Sequence, residues 1–214
     1  MMTLVIGNRN YSSWSLRAWL VLRHSGMDFE EKCIALDTPG YRDQIYRFSD
    51  AGRVPVLIDG ELTVWDSLAI AEYVAEKVPG LWPENALDRA LARAVSAEMH
   101  SGFMALRQAL PMNCRAQDRK VALSNELAND ISRIDRLWNE CLQRQPRMGG
   151  LFGEWSIADA MFAPVVFRFD SYNIQLSELS QRYVEWQLED ANMQEWLRMA
   201  TEESEVIERE EIGL

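Results

Sequence analysis

Residues 53–67 read RVPVLIDGELTVWDS. Two apolar runs, 54–58 and 62–65, flank Asp59-Gly60-Glu61, a hairpin signal in which glycine supplies the positive φ of a tight turn, so the stretch predicts two antiparallel strands. Asp66-Ser67 then opens residues 67–77, a run of helix formers closed by Val78-Pro79-Gly80. Upstream, residues 3–6 and 29–36 predict two further strands. Between them Leu16, Trp19 and Leu20 fall at helical spacing until Gly26 offers a stop, and Pro39-Gly40 opens a polar segment to Phe48 that holds a short helix. The order is βαβαββα, an α+β domain over residues 1–80.

Pro79-Gly80 and Trp82-Pro83-Glu84-Asn85 form a breaker-rich connector, after which strand signals largely vanish. Apolar positions at three- and four-residue spacing predict helices over 87–110, 118–145, 156–169, 177–187 and 193–210. An all-helical domain over 87–214 is therefore expected. The acidic stretch after Thr201 reads as a solvated helix or tail.

The chain of 214 residues is 48% hydrophobic and 26% charged, the composition of a folded protein with a sizeable core. Its net charge of −11 is uneven: residues 1–80 hold 8 Lys/Arg against 11 Asp/Glu, the remainder 14 against 22. That balance argues against nucleic-acid partners, which demand a basic face. The longest apolar stretch, 160–167, is too short to span a membrane, and the opening residues lack a basic and apolar leader, so a cytoplasmic location is expected. Cys33, Cys114 and Cys141 are scattered and read as buried apolar residues. Two histidines, His24 and His100, form no metal-ligand pattern, so no metal is expected.

The segment NYSSWSLRAWL, residues 10–20, places Ser12, Ser13 and Ser15 at the N-terminus of the first helix. One serine suffices as an N-cap. The surplus hydroxyls share the positive end of the helix dipole, which favours an anion such as a thiolate or phosphate. Capping and an anion site both remain open on these residues alone, and Arg17 adds either positive potential or a structural ion pair.

Taken together, the βαβαββα order, Val54-Pro55 before the third strand, Asp66-Ser67 opening the third helix and the capping box Ser156-Ile157-Ala158-Asp159 resemble the cytosolic glutathione transferase family over essentially the whole chain. The resemblance implies a thioredoxin-like N-terminal domain, an all-α C-terminal domain, a cis Val54-Pro55 bond and glutathione as co-substrate. Glutathione would lie against Tyr11, Trp14, Arg53, Val54, Pro55, Asp66 and Ser67, its cysteinyl backbone on Val54 and its γ-glutamyl carboxylate on Ser67. The segment SSWS is similar to the serine motif of zeta-class members, in which cysteine usually stands where Trp14 stands here. Ser12 would activate the thiol, with Ser13 second and Tyr11 a rival. A small, partly apolar electrophile would occupy a pocket of Met99, Phe103, Met104 and Arg107 between the domains, although a methionine and aromatic stripe at this spacing is more often core than pocket. A homodimer is implied, with the helices at 67–77 and 87–110 facing the partner. Maleylacetoacetate-type isomerisation and a non-catalytic binding role are the alternatives; zeta-class isomerases carry an arginine at the place of Ser171, and Arg168 lies one turn earlier.

Overall fold

The computed structural model describes residues 1–145 and 149–213. Four strands, β1 (Met2–Gly7), β2 (Phe29–Ile34), β3 (Val56–Asp59) and β4 (Leu62–Trp65), form one sheet in the order β2-β1-β3-β4. β1 and β2 run parallel, while β3 is antiparallel to both β1 and β4. The β3–β4 turn holds Gly60 at φ 61°, the conformation its sequence position predicts.

Helix α1 (Ser13–Ser25) connects β1 to β2, α2 (Tyr41–Tyr46) follows β2, and α3 (Ser67–Lys77) follows β4. The resulting βαβαββα unit is thioredoxin-like. α1 ends where Gly26, in the left-handed region, turns its N–H to the Arg23 carbonyl. Gly7 ends β1 so tightly against Leu36 that a Cβ there would stand 2.5 Å from the leucine side chain.

All remaining long elements are helices: α4 (Ala86–Ser101), α5 (Met104–Ala109), α6 (Asn125–Leu142), α7 (Ile157–Ser171), α8 (Glu178–Leu188) and α9 (Ala191–Glu202). Three differ from the spacing-based expectation. The helix over 118–145 begins only at Asn125, where Ser124 caps it through the Leu127 N–H. The helix over 87–110 is broken at Gly102-Phe103, where Gly102 lies so close to the Glu98 carbonyl that a Cβ would be 2.8 Å away and Phe103 takes φ 60°. Arg107 reaches back across the break to the carbonyls of Met99, His100 and Gly102, satisfying the end of α4. The helix over 193–210 stops at Glu202, and only a 3-10 turn at Glu208–Glu210 follows.

Helix α7 is apolar on every side and buried at all positions except Asp170, as a central helix must be. Its start is fixed by the expected capping box. The buried Asp159 carboxylate accepts from the Leu151 N–H (2.9 Å), the Ser156 N–H (2.8 Å), the Ser156 hydroxyl (3.0 Å) and the Tyr183 hydroxyl (2.9 Å). Gln187 donates to the Tyr183 oxygen and to the Asp159 carbonyl, while the Tyr183 ring packs on Trp138. Removing a carboxylate that satisfies four buried donors leaves each without an acceptor. Asp159→Ala should therefore destabilise the fold by about 3 kcal/mol or more, and Ser156→Ala by about 1 kcal/mol, read as shifts in the urea midpoint at constant m-value.

Candidate active site

A cleft of about 920 Å³ opens where the N-terminus of α1 meets the segment before β3, the start of α3 and the end of α4. Tyr11, Ser12, Ser13, Trp14, Arg53, Val54, Pro55 and Asp66 all line it, so eight of the residues singled out in the sequence converge on one surface. The Val54-Pro55 bond is cis, and Val54 lies outside both strand ladders that hold β3.

Asp66 sits at φ 74°, strained for a residue other than glycine, and two contacts hold it there. One carboxylate oxygen accepts from the Leu68 N–H at 2.8 Å and caps α3; the other lies 3.1 Å from His100 Nε2. Ser67 is buried behind this rim, does not line the cleft, and its hydroxyl has no partner among the described residues.

The serines at the start of α1 are each engaged differently. Ser12 occupies the N-cap position without a capping bond from its side chain; its hydroxyl instead pairs with Ser15 Oγ at 2.7 Å, and Ser15 Oγ accepts from the Gly7 N–H at 3.0 Å. Ser13 Oγ accepts from the Arg168 guanidinium at 2.9 Å. The surplus of hydroxyls thus joins α1 to β1 and to α7. Tyr11 is committed elsewhere: its hydroxyl donates to Glu211 at 2.7 Å and accepts from Arg115 at 3.0 Å, and burial, then Glu211, raises its pKa. The acidic C-terminal stretch is therefore no free tail, since Glu203 also accepts from the N–H groups of Arg9 and Asn10.

Three guanidiniums lie behind the cleft. Arg17 and Arg168 are fully buried and Arg107 partly so, and burial followed by their mutual repulsion pushes Arg17 well below its usual pKa and Arg168 down to about 10. Burial also lowers Arg107. The Trp14 ring is flanked by Arg17 at 5.3 Å and Arg107 at 4.8 Å, its electron-rich faces offsetting part of that charge.

The expected second-substrate set does not assemble. Met99 and Phe103 pack into the core, Met104 is exposed outside the cleft, and Arg107 turns its Nε and one terminal nitrogen to the carbonyls at the end of α4. His100, next to Met99 on α4, lines the cleft in their place. Apolar spacing selects the buried face of a helix, and the residue that borders a cleft is its polar neighbour. Tyr41 and Arg42 of α2 also line the cleft without any signal in the sequence beyond their polar setting.

Among the described residues no group of three or more His, Cys, Asp or Glu is placed to hold a metal, and no helix is long and apolar enough to cross a membrane. The cysteines do not reach the cleft. Cys114 and Cys141 are buried as expected, whereas Cys33 is exposed because it lies on β2 at the sheet edge.

Residues 11–77 match the family described as glutathione S-transferase, N-terminal domain. A probable maleylacetoacetate isomerase of Caenorhabditis elegans is 27% identical over 173 residues, covering 79% of each chain. Among solved structures, a glutathione transferase homolog from Burkholderia with bound glutathione superposes with a TM-score of 0.72 at 26% identity, over 95% of this chain and 99% of the other. A bacterial maleyl pyruvate isomerase described as zeta class gives 0.73 at 21% identity, over 95% and 100%, and so shares the fold.

The thiols supply a check on the surroundings of β2. Cys33 is exposed as a residue, but its sulfur is partly covered where it meets the Gly7 carbonyl at 3.5 Å, and that burial, then the Glu203 carboxylate, pushes the thiol up to about 11. At neutral pH it should react with a disulfide reagent at least about tenfold more slowly than an ordinary thiol of pKa ~8.5, accelerating as pH rises, while Cys114 and Cys141 react only on unfolding.

Proposed function

We propose that the chain is a cytosolic glutathione transferase, a reading supported by the match of residues 11–77 to the N-terminal domain of that family, and that its cleft binds glutathione, ionises the thiol at the N-terminus of α1 and presents it to a small electrophile entering from the side of His100. The observation that carries this reading is the convergence of Ser12, Ser13, Val54, Pro55 and Asp66 on one cleft. Each supplies a different part of an extended, multiply charged peptide's recognition. The Val54 backbone, outside its ladders, accepts the peptide as an added strand, while the start of α3 faces a carboxylate and Asp66 an ammonium. Ser67 Oγ, buried just behind the cleft rim and without a partner among the described residues, is the acceptor-seeking group at that helix start and would meet a ligand carboxylate once the rim at Asp66 gives way.

A free thiol of pKa ~8.5 is only a few per cent ionised at neutral pH, so a site that favours the thiolate raises the reactive fraction directly. A serine hydroxyl bond and the α1 dipole both favour the anion over the thiol. The released proton passes to solvent. The thiolate then forms the S–C bond with the electrophilic carbon, and the leaving group departs with its bonding electrons.

Isomerisation of a cis unsaturated diacid is the second reading, favoured by the maleylacetoacetate isomerase relative. It uses the same thiolate for reversible addition instead of displacement. A homodimer fits the exposed Leu62 and Trp65 on β4 and Leu87 on α4, apolar groups that a second copy would cover. Sedimentation at micromolar protein should give twice the chain mass of 24.7 kDa.

Retention on immobilised glutathione, followed by turnover of halogenated and unsaturated electrophiles and of maleylacetoacetate, tests the reading and separates its two forms. Absence of glutathione binding would overturn both. Ser67→Ala should weaken glutathione about tenfold, the loss of one charge-assisted bond, with kcat at saturating glutathione little changed.

A further inference from the structure

Ser12 and Ser13 are adjacent, and only one can present its proton squarely to a sulfur in the cleft. We propose that Ser13 is the donor and that Arg168 is its positioning residue, an inference that rests on the glutathione reading above. Arg168 projects from α7 and is 4% exposed. Its Nε donates to the Leu110 carbonyl at 2.7 Å and one terminal nitrogen to the Pro164 carbonyl at 2.9 Å. Those two bonds fix the guanidinium plane, and the remaining nitrogen is held 2.9 Å from Ser13 Oγ.

A guanidinium only donates. It therefore occupies a lone pair of Ser13 Oγ and obliges the Ser13 proton to point elsewhere, and among the described residues no group accepts it. Ser13 is among the residues that line the cleft although it is only 1% exposed, and its unclaimed proton is the one a ligand there would accept. A full positive charge behind the oxygen strengthens that outward bond, and strengthens it more for a thiolate than for a thiol. Ser12 has no such backing, because its hydroxyl pairs with Ser15 inside the first turn.

The groups around Ser13 reinforce the preference. Arg17 of α1 and Arg107 of α5 add positive charge. Asp66, itself paired with His100 of α4, faces Arg17, while Asp130 of α6 faces Arg107 and Glu210 faces Arg168. Tyr11, Glu211 and Arg115 are bound to one another. None of these carboxylates bonds Ser13, so a thiolate there would add an anion beside the guanidiniums.

The experiment is titration of bound glutathione by thiolate absorbance, with kcat/KM from about pH 6 to 9, on the unsubstituted protein and on S12A, S13A, R168M, R168Q and R168K. S13A and R168M should each raise the bound thiol's pKa by about one unit and lower kcat/KM at neutral pH about tenfold, with the loss recovered at high pH and Kd for glutathione within about twofold. A protein carrying both S13A and R168M, titrated alongside these, should be no worse than S13A, since Arg168 acts through Ser13. R168K should restore part of the shift by restoring charge, and S12A should shift least. If R168M fails to fold, R168Q, which keeps a donor without the charge, should show the same pH-dependent loss. A rate loss equal at every pH in the Arg168 variants, or a thiol pKa that moves in S12A and not in S13A, would overturn the assignment. Failure of the unsubstituted protein to bind glutathione would overturn the functional reading itself; normal binding with an unshifted S13A overturns this inference alone.

Discussion

Helix α1 has almost no solvent face: from Ser13 to Leu22 every residue is buried except the half-buried Trp14. A helix enclosed on all sides must satisfy each polar group inside the protein, and the rest of the structure is arranged to do so. Ser15 closes the helix start onto the Gly7 N–H of the sheet, Arg17 donates to the Met161 carbonyl of α7, and Trp19 packs on Trp196 of α9. These contacts come from the sheet and from two helices of the C-terminal domain. The N-terminus of α1, where the cleft lies, is thus immobilised from three directions. A dipole and a hydroxyl contribute to binding in proportion to how little they must reorganise, and here neither can move far.

The C-terminal segment completes this enclosure on the side of Tyr11. Glu203 takes the N–H groups of Arg9 and Asn10, which follow β1, and Glu211 takes Tyr11, Asn113 and Arg119. Arg115 in turn donates to the carbonyls of Glu203 and Glu205. Residues some two hundred positions apart in the chain therefore share one polar seam along the edge of the cleft. The Tyr11 hydroxyl thus has both an acceptor, Glu211, and a donor, Arg115, within the protein.

The fold was legible because its signals are local. A glycine hairpin, a capping box and a left-handed glycine each act over three or four residues, and β3, β4, α3 and the ends of α1 and α7 lie where those signals put them. Several residues that line the cleft were legible by resemblance. The break at Gly102-Phe103 was not, since Arg107 stabilises it across five residues and apolar spacing continues through it. The roles of Glu203 and Glu211 were hidden for a related reason: acidic composition indicates solvation unless a distant set of N–H donors claims the carboxylates. Cys33 shows the converse, a residue type usually buried that is exposed by its place at a sheet edge.

Charge is distributed in a way composition conceals. The chain carries −11 overall, yet Arg17, Arg107 and Arg168 are gathered beside the cleft. Burying a guanidinium is costly unless an anion or a set of carbonyls receives it. Arg168 and Arg107 have carbonyls, whereas both terminal nitrogens of Arg17 lack a partner among the described residues. The acidic exterior is screened by salt within about 8 Å at physiological ionic strength, but buried charge is screened far less. The field that a ligand meets inside the cleft is therefore set by the arginines and not by the net charge. The net charge of the exterior and the charge gathered beside the cleft thus have opposite signs.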